Sequence, residues 1–127
     1  MDNNERFEKG FANRNKVLGP KSWKDADDFY RPMQKFVTEI CWGDCWGDDT
    51  LPFKTRSMLN LGILTAMSQH NELGVHVKGA LRNGVTKDEI RAVLMQACVY
   101  CGVPKAVAAF RVASEAIKAY ETEMSAD

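Results

Sequence analysis

The sequence lacks the features that would tie it to a large charged or lipidic partner. Its 17 basic and 17 acidic residues cancel, so no net field draws it to nucleic acid or to anionic lipid. Apolar stretches run to only a few residues, which excludes a membrane-spanning helix. The start, Met1-Asp2-Asn3-Asn4-Glu5-Arg6, is polar and no apolar signal core follows, so a cytoplasmic chain is expected. Four cysteines in 127 residues are then expected as reduced thiols rather than a disulfide frame. Alternating runs of β-branched and aromatic residues, the mark of strands, are nearly absent. No phosphate loop, GxSxG elbow or dinucleotide fingerprint occurs. Histidine appears only at His70 and His76.

What remains is an ordinary globular balance, 45% hydrophobic and 27% charged, in a length that fits one domain with its own core. The fold class is all-α, with about six helices. A first helix is expected over 3–15, ended by Leu18-Gly19-Pro20. A second starts near Asp25 and carries Phe29, Tyr30, Met33, Phe36, Val37 and Ile40 on one face. Residues 41–51 read as a loop, because the repeat Cys41-Trp42-Gly43-Asp44, Cys45-Trp46-Gly47-Asp48 is rich in glycine and aspartate. Two tryptophans there must nevertheless pack somewhere. A third helix opens at Pro52 and a fourth covers 71–83, with Asn71 as N-cap and Gly84 as stop. Thr86-Lys87-Asp88-Glu89 is a capping box that opens a fifth. Gly102 ends it, and Pro104 opens a last helix to about Glu123, leaving a frayed tail over 124–127. The single domain, 1–127, thus divides into a helical extension over about 1–50 and a core over about 51–124.

Glu72 and His76, four apart, share a helix face. A carboxylate beside an imidazole can orient it and raise its pKa for proton transfer near neutrality. The competing reading is a surface pair or a packed histidine, and two ligands alone do not make a metal site. Arg56, in the first turns of the third helix, carries a planar guanidinium that can clamp a carboxylate, or simply be solvated. Arg82, Lys87 and Arg91 read as a solvated face. The pairs Cys41/Cys45 and Cys98/Cys101 offer zinc or redox chemistry on paper. Cys98-x-x-Cys101 lies near a helix C-terminus within apolar residues, where a thiolate is not favoured, so packing is expected.

The segments Lys54-Thr55-Arg56-Ser57, Asn71-Glu72-Leu73-x-x-His76-x-x-Gly79-Ala80-Leu81-x-Asn83-Gly84-Val85-Thr86 and Val99-Tyr100-Cys101-Gly102-Val103-Pro104 together resemble the carboxymuconolactone decarboxylase family. Phe36-Val37-Thr38-Glu39-x-Cys41-Trp42-Gly43 is similar to the segment before the domain in its 4-carboxymuconolactone decarboxylase branch. The resemblance spans about residues 5–120. It implies an alkylhydroperoxidase D-like helical fold and homo-oligomers, trimers or hexamers. The peroxidase branch of that superfamily carries Cys-x-x-Cys-x-x-x-His. Laid on this chain, the histidine falls on His76 and the thiols on Gln69 and Glu72, so both thiols are missing.

The resemblance implies cofactor-independent decarboxylation of 4-carboxymuconolactone to the β-ketoadipate enol-lactone in aromatic catabolism, with no metal. His76 would donate the proton, Glu72 would orient and charge it, and Arg56 would bind a carboxylate or the oxyanion. Trp42, Trp46 and Glu39 would wall the substrate pocket. Two rival expectations are a thiol redox protein using Cys98 and Cys101, and a non-catalytic oligomer that binds a small acid.

Overall fold

The computed structural model describes residues 2–126. Among them there is no strand, and no helix is long and apolar enough to cross a membrane. The helices are α1 (Asn3–Leu18), α2 (Arg31–Phe36), α3 (Phe53–Ala66), α4 (His70–Arg82), α5 (Lys87–Cys101) and α6 (Val103–Ala126). A 3₁₀ turn covers Pro20–Ser22, and α2 runs on as a π-helix over Val37–Cys45. The chain forms two compact units, one ending at Phe53 and one beginning at Lys54.

In the N-terminal unit α1 packs against the π-helix. Two glycines set the closeness of the crossing. A Cβ on Gly10 would stand 1.8 Å from the Thr38 carbonyl oxygen, and one on Gly43 would stand 3.0 Å from the Arg6 carbonyl oxygen. The Asn13 side chain then donates to the Trp42 carbonyl at 2.9 Å, and Arg6 clamps Asp44 through two nitrogens, the shorter contact 2.6 Å. Trp42 and Trp46 meet at a tilt of 33° with centroids 4.9 Å apart and fill a small core with Val17.

The expected loop over 41–51 is therefore helical as far as Cys45. Glycine and aspartate lower helix propensity, but here Gly43 is needed for backbone contact, and tertiary packing overrides the local preference. The second helix also begins later than expected. Asp27 accepts from the backbone N–H of Tyr30 at 3.0 Å in the preceding turn. Pro32 then occupies the first turn of α2, where its missing N–H costs nothing. Of the face expected on this helix, Phe29 is 94% exposed, and Tyr30, Met33, Phe36 and Ile40 are exposed as well. The first helix extends to Leu18, where Gly19 turns away at φ 89°.

The C-terminal unit is built on α4, α5 and α6. Leu73, Val77 and Ala80 on α4 meet Ile90 and Leu94 of α5 and a stripe of alanines on α6, at 109, 113 and 116. Leu61 of α3 joins this core, and Ser57 accepts a hydrogen bond from Asn83 at 2.9 Å. The capping box forms as expected, with Thr86 and Glu89 bonded reciprocally at 3.0 and 2.9 Å. Gly84 and Gly102 stop their helices at φ 88° and 103°. Asn71 is not an N-cap. Ser68, at φ 55°, turns the chain and Gln69 takes the N-cap position, so α4 begins at His70, one residue earlier than expected. The last helix runs past Glu123 to Ala126, and Asp127 of the expected frayed tail lies outside the described residues.

Candidate active site

His76 lies on the inner flank of α4, because it is three residues from Leu73 and Gly79 and four from Ala80. It is buried, with 8% of its surface exposed. Burial pushes its pKa below the ordinary histidine value, and the negative charge of Glu72 opposes this only in part. Glu72, one turn earlier in the first turn of α4, is solvent-exposed. The pair thus comes together as the spacing predicts, but the expectation that Glu72 leaves His76 charged meets a stronger desolvation effect.

Arg56 is half-buried in the second turn of α3. Its neighbour Ser57 bonds Asn83, so this turn lies beside the C-terminal end of α4. Seven residues of helix separate His76 from Asn83, about 10 Å along the axis.

The other three expected residues belong to the N-terminal unit. Trp42 and Trp46 are 5% exposed, inside its core. Glu39 is 8% exposed and lines a groove bordered by α1 and α2. It lies near enough to Arg6 to favour that guanidinium's charged form, after Asp44, which does so most. The remaining groove residues went unsignalled in the sequence, although Phe7 and Phe11, spaced one turn apart, are a helical pair that could have drawn attention.

The four cysteines are thiols outside any disulfide. Cys98 and Cys101 are half-buried at the end of α5, beside Val99 and Tyr100, which are exposed to solvent. They are less deeply packed than expected, since only Ala97 of that stretch is buried. Burial, with Cys45 a smaller contributor, pushes the Cys41 thiol up, away from the thiolate. Among the described residues no three His, Cys, Asp or Glu side chains converge as metal ligands would.

The sequence profile of the carboxymuconolactone decarboxylase family matches residues 31–115. The chain belongs to this family. As a member it is 34% identical to the 4-carboxymuconolactone decarboxylase of Acinetobacter baylyi, over 93% of this chain and 91% of that protein. It is 39% identical to a nitrosuccinic acid decarboxylase of Metarhizium robertsii, over 87% of this chain and 80% of that protein.

Proposed function

We propose that the protein is a decarboxylase of small dicarboxylic acids that works without cofactor, and that 4-carboxymuconolactone is its substrate. The observation that carries this reading is the buried His76 one helical turn from Glu72, in a chain whose relatives are named decarboxylases. In this lactone the leaving carboxylate sits on the saturated ring carbon. As carbon dioxide departs, the bonding electrons move through the ring alkene into the lactone carbonyl. The product of that step is a furan-like dienolate, so the substrate is its own electron sink. The protein must then hold two carboxylates, stabilise the oxygen that gains charge and protonate the ring carbon alpha to it.

Arg56 suits the first two tasks, through a bidentate clamp on a carboxylate or on the developing oxyanion. His76 is the proposed proton donor, and Glu72 the group that orients it. The substrate contributes to its charging, because two carboxylates brought beside the imidazole favour its protonated form. A homo-oligomer in the cytoplasm is the proposed setting.

A second substrate reading follows from the Metarhizium relative, which is named for nitrosuccinic acid. A nitro group beside a leaving carboxylate is also an electron sink, so the same residues suit either acid. The two are separated by supplying each to the purified protein and following carbon dioxide release and ultraviolet absorbance. Turnover of the lactone is expected, with a loss of at least 100-fold in kcat for His76→Ala. Wild-type-like turnover by a folded His76→Ala protein would remove the histidine from the mechanism. Release of carbon dioxide from neither acid would overturn the decarboxylase reading.

A further inference from the structure

The N-terminal unit carries a groove of about 770 Å³ that involves none of Arg56, Glu72 and His76. One side is aromatic. The rings of Phe7 and Phe11 lie nearly parallel at 6.4 Å, and Trp23 meets them edge-on at 6.4 and 4.8 Å. Most polar groups around it are already engaged. The Gln34 amide accepts from the Ala26 N–H at 3.3 Å and donates to the Lys24 carbonyl at 2.9 Å. The Trp23 indole donates to Asp25 at 3.0 Å, and Arg31 pairs with Asp28.

Glu39 differs from these. It is more than nine-tenths buried, it lines the groove, and its Oε2 has no hydrogen-bond partner. Arg6 is committed to Asp44 by two contacts and leaves this oxygen unmet. A buried carboxylate oxygen without a donor is costly, by more than a neutral acceptor would be. An ionised carboxylate only accepts, so the group that completes it must bring an N–H or O–H. Charge decides between these. Arg31 is balanced by Asp28, which leaves Glu8, Asp25 and Glu39 against Lys35 along the groove. A cation is favoured there, and the electron-rich rings of Phe7 and Phe11 favour it again; the Trp23 ring already carries the Arg14 guanidinium, 5.2 Å from its centroid, and offers mainly apolar contact.

We propose that this groove binds a small organic ammonium, a primary amine on an aryl or alkyl body, with its N–H groups on Glu39 Oε2 and its body against Phe7, Phe11 and Trp23. The inference goes beyond the decarboxylase reading and draws on none of its three catalytic candidates.

The test uses the full chain and three probes of similar shape: 2-phenylethylammonium, 2-phenylethanol and 3-phenylpropionate. Calorimetric titration should give saturable binding of the ammonium, at least tenfold tighter than the alcohol, with the carboxylate weakest. Glu39→Gln should weaken the ammonium at least tenfold and leave the alcohol unchanged. Phe11→Ala should weaken both. Comparing the three probes on the unaltered protein decides the matter even if Glu39→Gln fails to fold. Equal affinities for the three, tighter binding of the carboxylate, or no saturation with the ammonium would overturn the proposal. Lactone turnover, measured on the same samples, reports separately on the decarboxylase reading.

Discussion

His76 shares its flank of α4 with Leu73, Val77 and Ala80, so the packing that buries those residues also strips water from the imidazole. Its pKa therefore falls below the ordinary value of about 6.5. Between the folded and unfolded values the unfolded chain binds the extra proton, so the stability due to neutral burial is present above about pH 6.5 and lost as pH falls through the folded value. Thermal midpoints should drop between pH 7 and pH 5, and His76→Gln should remove that part of the drop. Asp44, Glu89 and Glu123, whose pKa values are lowered mainly by their hydrogen bonds, act at lower pH and leave this window clear. The kinetic consequence has its own sign. As proton donor, His76 requires kcat/KM to fall as pH rises past its depressed value, and kcat to fall only at higher pH, once bound substrate favours the imidazolium. A kcat/KM that instead rises across this range would make His76 a base.

At the scale of elements, the crossing of α1 with the π-helix rests on Gly10 more than on any propensity. A methyl group there would overlap the Thr38 carbonyl oxygen, at 1.8 Å. Gly10→Ala should therefore destabilise the N-terminal unit by about 3 kcal/mol, as overpacking does. Chemical denaturation followed by tryptophan fluorescence reads this directly, because Trp42 and Trp46 lie in that unit's core. An unchanged midpoint would show that α1 can shift without cost. Signals carried by side chains close in sequence were legible beforehand. The Thr86/Glu89 capping box and the stops at Gly84 and Gly102 formed as the residues indicated. The π-helix was not legible, because its Gly43 answers to a chain segment more than 30 residues away rather than to its neighbours. The start of α4 was missed because the turn at Ser68, not the Asn71 side chain, sets it.

For the molecule as a whole, the apolar residues left outside both cores are the main unresolved demand. Phe29 is 94% exposed, Val99 79% and Tyr100 82%. Exposed apolar surface on this scale favours association, which zero net charge does little to oppose. The proposed oligomer should appear in light scattering as a mass several times that of one chain, and Tyr100→Lys or Phe29→Lys should shift it toward smaller species. A wild-type protein that scatters as a monomer at all concentrations would end that proposal. With no net charge to steer an anion, the proposed capture of a dianionic substrate would fall to local groups such as Arg56. The sequence by itself determined that the chain is helical, where most helices stop, and that Glu72 and His76 share a face, since all of these follow from spacing and from side chains near in sequence. Only the tertiary structure decided that burial outweighs Glu72 at His76, that the first copy of the CWGD repeat is helical, and that Glu39 lies in a groove with an unmet oxygen. Desolvation and close packing depend on which distant segments meet, and no local pattern records that.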